Sequence, residues 1–358
     1  MKPRFFLLIL FSCLQNIAGQ QKQDSTKISV SDSITNTYKE KLDRYVGLRL
    51  DTNTNVSKFS FINRAPLKNI DVVPNQDYQA RIAINYKWLT LAFSFSPKIG
   101  GLNDNVQEKG KTKITSFDFS FNLKKTQHRL FFTKTKGYYL SNSEIYRAEL
   151  LNQNIFSRYA KLPDFESIQL GSETFYFYNS DQFSKVFSRD KSEIQLKSAG
   201  SFVSFLGLYY SKIDGSEQDL SFLNLFTNKD IPYPNINESY YGAIGKGYAY
   251  NYIFEKNFFI TALGIPSVGV QYSRLQYPFD AADTNKTELT VSILTEASIG
   301  FSDKKWFTGI LGNYTGFTST SKGNKLAGTK GYATLFIGYR FAPPKVVKNT
   351  FEYIDGQL

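Results

Sequence analysis

Apolar and polar residues alternate with a period of two along most of this chain. Phe117, Phe119 and Phe121, for example, share one face of a segment whose other face carries Ser116 and Ser120. Side chains of a strand point alternately to its two faces, so the alternation predicts strands with one apolar and one polar face. Many runs extend over about ten residues, the length that a tilted strand needs to cross a bilayer, whereas strands of soluble proteins mostly have about 5–6 residues.

The connections between these runs alternate between short turns and long polar loops, as in outer-membrane barrels with short periplasmic turns and long extracellular loops. Turns fall near 87, 124–126, 255–257 and 302–305, and loops near 53–76, 98–111, 141–164, 214–241, 274–286 and 319–328. We therefore predict an all-β fold, an antiparallel transmembrane β-barrel of about twelve strands with both chain ends in the periplasm. The predicted strands are 44–52, 77–86, 88–97, 112–123, 127–139, 165–178, 199–213, 243–255, 258–273, 287–301, 306–318 and 329–341.

Aromatic residues are abundant, with 32 Phe and 24 Tyr, and several stand at strand ends beside the turns. Amphipathic rings favour the headgroup zone of a bilayer, so aromatics at these positions predict an interfacial girdle. The girdle candidates are Tyr86, Trp88, Trp306, Tyr339 and Phe341.

The N-terminus has the features of an export signal. Lys2 and Arg4 precede an apolar run over 5–14, and small residues end at Gly19, so residues 1–19 are predicted to be a signal peptide cleaved after Gly19. The alternative is a lipoprotein signal with Cys13 as the acylated residue. No later apolar run is long enough for a transmembrane helix.

The predicted organisation follows from these features. Residues 20–43 are polar and form a flexible periplasmic leader, 44–341 form the barrel, and 342–358 form a C-terminal periplasmic tail that begins near a Pro-Pro pair. The expected location is the outer membrane.

Four charged residues lie on the polar faces of the predicted strands: Arg81, Asp118, Glu296 and Arg340. In a barrel the polar face lines the lumen, so these residues are the lumen-lining candidates. They either pair with one another and fill a narrow lumen, which we favour, or filter solutes in a wider one. A general acid–base pair of Asp118 and Glu296 is a less favoured hypothesis.

The residues that metal and covalent chemistry need are scarce. One Cys and one His argue against cysteine-rich or multi-histidine metal sites, and no nucleophile elbow, phosphate loop or zinc-protease motif occurs. We expect no metal and no cofactor. A Ser–His hydrolase has His128 as its one possible base, although the position beside a short turn favours an interfacial role.

One connection breaks the alternation of turns and loops. Residues 179–198 lie where a short periplasmic turn is expected and include Arg189, Asp190, Lys191 and Glu193. They form either a solvated periplasmic loop, the favoured interpretation, or a segment tucked into the lumen.

Several short stretches together resemble a family of exported proteins, the domain of unknown function 4421 (DUF4421). The resemblance spans about 40 to 345, implies an outer-membrane barrel and carries no catalytic residue. Its most specific element is a periplasmic motif formed by Gln195, Lys197, Ser198, Gly200 and Ser201. The other stretches are Pro74-Asn75, Tyr86-Lys87-Trp88-Leu89, Asn179, Phe183-Ser184, Gly247-Tyr248-Ala249-Tyr250 and Gly338-Tyr339-Arg340-Phe341.

The sequence is most consistent with a non-enzymatic outer-membrane barrel, namely a small channel, a lipid-interacting barrel or a structural platform. The alternatives are an outer-membrane lipid-modifying hydrolase and a soluble periplasmic lipocalin-like binder of a hydrophobic ligand, with its oily face turned inward. Expected partners are outer-membrane lipids, a small solute and the barrel-assembly machinery. The net charge of +12 and the many aromatics also suit single-stranded nucleic acid, but the export signal argues against this partner.

Overall fold

A closed antiparallel barrel forms the body of the protein. The computed structural model describes residues 38–55, 58–62, 70–76, 78–97, 105–152, 157–185, 192–215, 236–277, 283–321 and 324–355, and the predicted signal peptide lies outside them. Twelve strands pair with their neighbours, and the last pairs with the first, which confirms the predicted barrel. They are β2 (Val46–Asn55), β5 (Tyr78–Tyr86), β6 (Leu89–Phe95), β7 (Lys113–Asn122), β8 (Thr126–Leu140), β9 (Lys161–Phe177), β11 (Ala199–Asp214), β12 (Ile236–Phe254), β13 (Phe258–Gln276), β14 (Thr284–Ser302), β15 (Trp306–Ser321) and β16 (Asn324–Phe341).

The outer wall of the barrel is apolar. Leu289 and Val291 are 87% and 83% exposed on β14, while Glu296 on the opposite face is 3% exposed. Soluble monomers rarely expose contiguous apolar patches of this kind, so the outer face is built to contact lipid. The oily face points outward, which excludes the lipocalin-like alternative. Its exposed aliphatic and Phe members include Leu48, Leu50, Ile82, Ile84, Phe93, Phe95, Phe202, Leu206, Ile244, Phe258, Ile260, Val268, Val270, Leu289, Val291, Ile293, Ile299, Ile310, Leu335 and Ile337.

Aromatic side chains border this apolar band at both ends. At the short-turn end the rings of Trp306 and Tyr339 lie 4.6 Å apart, and Tyr252 is half exposed. At the long-loop end Tyr240 packs against Tyr210 at 5.2 Å. Tyr240 and Tyr252 stand 12 positions apart in β12. At about 3.3 Å per residue and a tilt of about 40°, this separation corresponds to roughly 30 Å, the thickness of a bilayer core.

The predicted girdle residues differ in exposure. Trp306, Tyr339 and Phe341 are exposed, and Trp88 is partly buried. Tyr86 is only 6% exposed, so its predicted position in a lipid-facing girdle is wrong. The strand ends at Tyr86 and the turn follows at once, with the Lys87 ammonium 5.7 Å from the Tyr86 ring.

A hairpin lies where the sequence predicts a long loop. It consists of β3 (Lys58–Ile62) and β4 (Ile70–Pro74). The part of β16 that extends past β2 pairs with β3. The part of β8 that extends past β7 pairs with β4. The strands β2, β5, β6 and β7 are short, so β16 and β8 would expose unpaired edges at the long-loop end, and the hairpin covers both.

A compact hydrophobic cluster covers part of the long-loop end. Two short helical segments, a 3₁₀ turn (Ser143–Tyr146) and α2 (Arg147–Asn152), contribute Tyr146 and Leu150 to it. These side chains pack with Val72 of β4 and Phe165 of β9. A further short helix, α1 (Val106–Lys109), precedes β7.

Both ends of the described chain contain regular secondary structure. Residues 39–41, assigned to the flexible leader, form β1 (Lys39–Lys41), which pairs with β10 (Glu193–Gln195) in a separate two-stranded sheet. The predicted tail forms α3 (Lys345–Asp355), which belongs to a unit separate from the barrel. No helix in the described ranges is long and apolar enough to cross a bilayer.

Candidate functional site

The lumen contains a chain of charged side chains on neighbouring strands. Asp51 lies between two arginines, with its oxygens 2.8 Å from Arg49 Nε and 2.8 Å from Arg81 Nη1. Arg81 Nε also lies 3.4 Å from Asp118 Oδ2. Arg81 stands directly opposite Asp51, and small Ala92 faces Asp118 on the intervening strand, which leaves room for the long arginine to cross β6.

Sequence reasoning identified Arg81 and Asp118 but missed Arg49 and Asp51. The signal was present, because Arg49 and Asp51 alternate with Leu48 and Leu50, which point outward. This alternation marks the polar face of β2 in the same way as in the other strands.

A second ion pair crosses the lumen. Arg129 Nη1 on β8 lies 3.6 Å from Glu296 Oε2 on β14, and both side chains are buried. Four barrel strands separate β8 from β14 on one side and six on the other, so the pair joins opposite walls. Arg129 also stacks over the Phe175 ring at 4.6 Å and donates to Gln127 Oε1 at 2.8 Å. Residues 130–132 are apolar on both faces of the strand, so the alternation did not show which face Arg129 occupies.

Arg340 is buried but takes no part in these pairs. It donates to the backbone carbonyl of Asp303 and to Ser302 Oγ at 3.2 Å, and it lies 4.4 Å from the centre of the Phe307 ring. These contacts hold the β14–β15 turn. Arg340 therefore has a structural role at the short-turn end.

The segment 179–198, here called the plug, enters the short-turn end of the barrel. Phe183 stacks on Phe177 at 5.6 Å and joins the cluster of Val203, Phe205 and Leu294 inside the barrel. The favoured prediction of a solvated loop is therefore wrong for the described parts, 179–185 and 192–198, and the tucked alternative is correct. The sequence signal for this tucked position was Phe183, an apolar aromatic residue in a charged segment.

Gln195 is the centre of the plug and is only 1% exposed. Its amide group has five hydrogen-bonding partners, one more than the four bonds of a glutamine side chain, so its two N–H groups are shared among three carbonyl oxygens. Its nitrogen donates to the carbonyl oxygens of Gln182 at 2.7 Å, Lys197 at 2.9 Å and Tyr38 at 3.2 Å, and its oxygen accepts from the Ser184 amide at 2.7 Å and Asn251 Nδ2 at 3.1 Å.

The other members of the predicted periplasmic motif attach the plug to the wall. The Ile253 backbone N–H donates to Ser198 Oγ at 2.9 Å. Asn179 binds Gly200 and Ser201. Its backbone N–H donates to Ser201 Oγ at 3.0 Å, and its Nδ2 donates to the Gly200 carbonyl at 2.9 Å. The Lys197 ammonium lies 5.6 Å from the Tyr38 ring.

The two-stranded sheet of β1 and β10 lies at the short-turn mouth of the barrel. Lys39 Nζ on β1 lies 3.3 Å from Glu193 Oε1 on β10, so an ion pair joins the two strands of this sheet. Glu40 Oε1 lies 3.0 Å from Lys304 Nζ in the β14–β15 turn on another side of the barrel. The plug and the sheet together occupy the short-turn mouth.

Lys185 fixes the plug to the β7–β8 turn. Its ammonium donates to the backbone carbonyls of Leu123 and Lys124, and the side chain is 9% exposed. Burial lowers the pKa of Lys185 to about 8, with Lys39 and Lys41 acting in the same direction and Glu193 opposing them.

This pKa predicts a pH-dependent stability difference between wild type and Lys185→Met. Between about pH 8 and the ordinary lysine value of 10.5 the unfolded chain binds one more proton than the folded chain, so the wild-type free energy of unfolding rises with pH relative to the variant. Below about pH 8 both states of Lys185 are charged and the difference is constant. Urea unfolding in lipid vesicles at several pH values, followed by tryptophan fluorescence, measures the effect. Lys197→Met, at an exposed position, is the control, and a flat difference for Lys185→Met would contradict the prediction.

A chamber of about 200 Å³ lies in the lumen, with Arg129 in its wall. Phe131, Tyr209 and Tyr241 form one side, and Ser267, Ser292 and Asn313 are among its polar lining. The lumen is therefore neither empty nor a uniform water channel. Among the described residues it also holds a second, smaller cavity of about 110 Å³, which Arg49, Asp51 and Tyr138 help to line.

His128 points away from this chamber. Its ring nitrogens contact the hydroxyls of Thr174 at 2.9 Å and Thr126 at 3.1 Å, and its ring stacks on Phe121 at 4.7 Å. These contacts do not form a Ser–His–Asp arrangement. Nor do the two carboxylates of the acid–base hypothesis meet, because Asp118 pairs with Arg81 and Glu296 with Arg129. No three His, Cys, Asp or Glu side chains in the described part of the chain cluster as metal ligands.

The family model for the domain of unknown function DUF4421 matches residues 30–341. The chain belongs to the DUF4421 family. The match covers the barrel, the plug and β1, which confirms the resemblance found in the sequence. No curated protein matches the chain significantly.

Several solved barrels are similar to this DUF4421 barrel at low sequence identity. The toluene transporter TodX of Pseudomonas putida is 7% identical with a TM-score of 0.27, covering 84% of this chain and 90% of its own. OmpT, an outer-membrane protein of Vibrio cholerae, is 7% identical with a TM-score of 0.29, covering 83% and 96%. A bacterial polysaccharide outer membrane secretin is 9% identical with a TM-score of 0.32, covering 84% and 99%. The assignment of a barrel rests on the strand ladders themselves.

Proposed function

We propose that this protein is a non-enzymatic outer-membrane barrel that is closed to the free passage of solutes and holds a binding chamber in its lumen. The observation that carries the proposal is the ion pair between Arg129 and Glu296, which joins opposite walls of the lumen. The plug adds a second obstruction at the short-turn mouth, where Gln195 and Phe183 are buried.

The outer membrane is the proposed location because a closed barrel with an apolar outer band suits that bilayer. Lipids are the proposed partners of this band. Insertion of such a barrel is proposed to depend on the barrel-assembly machinery. Lys246 fits this environment, because its ammonium lies 5.5 Å from the ring of Tyr178 and 6.0 Å from that of Phe202, so that a charge on the outer wall is accommodated by aromatic faces.

The test combines location with conductance. We expect the protein to fractionate with outer membranes and to migrate faster on SDS gels when it is not boiled, because a closed barrel resists detergent. Reconstituted in planar bilayers, it is expected to show no steady conductance. A constant open-channel current would overturn the closed barrel in favour of a small channel, and recovery as a water-soluble protein without a mobility shift would overturn the membrane location.

A further inference from the structure

We propose that the lumen chamber binds one neutral, hydroxylated ring, the chemistry of a single monosaccharide unit. This inference rests on the proposed closed barrel, because a ligand is retained in the chamber only if the lumen does not conduct freely. The plug lies on the short-turn side, so the ring would enter from the long-loop end.

Aromatic rings lie against one wall of the chamber. Tyr209 and Tyr241 stack on each other at 5.6 Å, and Phe131 lies 6.1 Å from Tyr209. Two glycines make this arrangement possible. A Cβ at Gly171 would collide with the Phe131 ring, and one at Gly269 would collide with the Tyr241 ring. The rings therefore lie close to the backbone of neighbouring strands, and they give the chamber an aromatic wall that the C–H groups of a ligand ring can contact.

Hydroxyl and amide groups line the adjoining wall. Ser292 Oγ is within 2.8 Å of Ser267 Oγ and 3.0 Å of the Tyr241 hydroxyl. Gln271 Nε2 donates to Ser273 Oγ at 3.0 Å and lies 3.4 Å from Ser239 Oγ. Hydroxyls both donate and accept, so such a network can rearrange to bind the hydroxyls of a ligand. An apolar ring cannot exchange hydrogen bonds with this network, so the lining favours a hydroxylated ring over an apolar one.

Charge and size limit the ligand further. The two arginines in the lining, Arg81 and Arg129, are matched by the two carboxylates Asp118 and Glu173. Balanced charge in the lining favours a neutral ligand over an ion. The volume of about 200 Å³ is below the roughly 300–1,000 Å³ of sites for drug-sized ligands, which leaves room for one ring.

Saturation-transfer NMR on the full-length mature protein tests the proposal. The micelle is lauryldimethylamine oxide, because glycoside detergents carry sugar rings of their own. The probes are methyl glucoside, methyl galactoside and methyl mannoside, with toluene and glucose 6-phosphate as the apolar and charged comparisons. We expect transfer to at least one methyl glycoside, and weaker or no transfer to the comparison compounds. Maltotriose distinguishes the two sources of such a ring: transfer to its terminal ring points to a glycan end, and transfer to the methyl glycoside alone points to a free sugar.

Two adjacent tyrosines provide a matched pair of variants. Tyr241→Leu removes a ring from the chamber and is expected to weaken binding about tenfold. Tyr240→Leu removes a ring from the outer wall of the same strand and is expected to leave binding unchanged. Tyr209→Leu replaces Tyr241→Leu if the latter does not fold, as judged by heat modifiability.

Three results would overturn the inference: no transfer to any methyl glycoside, transfer to toluene alone, or equal binding by Tyr241→Leu and Tyr240→Leu. None of them depends on conductance. A heat-modifiable, non-conducting protein that binds no glycoside would refute the ligand and leave the closed barrel standing, whereas a conducting protein would refute the closed barrel.

Discussion

Replacing Arg129 with methionine is expected to lower the free energy of unfolding by about 3–5 kcal/mol, the range for removing one partner of a buried ion pair. Methionine retains much of the apolar stem over Phe175, but the Glu296 carboxylate remains buried without the guanidinium that now lies 3.6 Å away. The double variant Arg129→Met/Glu296→Leu is expected to recover most of the loss, because it removes both charges from the low-dielectric lumen.

Urea unfolding of the barrel in lipid vesicles provides the measurement, with Trp88 and Trp306 as fluorescence probes near the turns. Lys136→Met is the matched control, because its partner Asp164 lies at 3.0 Å and both side chains are about half exposed. Such an exposed pair is expected to contribute less than about 1 kcal/mol. A loss for Arg129→Met no greater than that of the control would contradict the importance of the cross-lumen pair.

Replacing Gln195 with leucine is expected to release the plug from the barrel mouth. The change removes an amide group with five hydrogen-bonding partners at a residue that is 1% exposed, and it leaves several backbone groups without this partner. Each unsatisfied buried group costs about 1–3 kcal/mol, so plug attachment should weaken by at least about 3 kcal/mol. The barrel ladders do not involve Gln195, and heat modifiability should therefore persist.

Limited trypsin digestion in detergent measures this release, because the segment contains Lys185, Arg189, Lys191 and Lys197. Wild type is expected to resist cleavage within the segment longer than Gln195→Leu, since proteolysis requires local opening. Gln182→Leu, at an exposed glutamine of the same segment, should behave like wild type. Equal cleavage rates in all three proteins would show that Gln195 does not hold the plug.

The barrel was predictable because its information is local. Each strand carries its own alternation, so Leu289 and Val291 could be placed on one face and Glu296 on the other without knowledge of the neighbours. The ion pairs were not predictable, because the partner of Glu296 is 167 positions away, on β8. The strand register and the closure of the barrel bring Arg129 next to Glu296, and neither can be inferred from the sequence of a single segment.

The hairpin was missed, and the tucked position of the plug was the less favoured alternative, for a related reason. The hairpin strands contain five residues each and gain their partners from the extended ends of β16 and β8. The plug is polar by composition, and its attachment depends on Gln195 meeting the distant Asn251 and Tyr38. Segments that obtain their structure from long-range partners carry weak local patterns.

The seam between β2 and β16 has a consequence for the kinetics of folding. Leu48 pairs with Tyr339, so the contact that closes the ring joins the first and last strands of the barrel and cannot form until synthesis is nearly complete. Contacts of such long sequence separation fold slowly. The pairing of Lys39 with Gln195 requires only half the chain and brings the beginning of β2 to the short-turn end early. Loss of β1 should therefore slow ring closure more than it lowers the stability of the finished barrel.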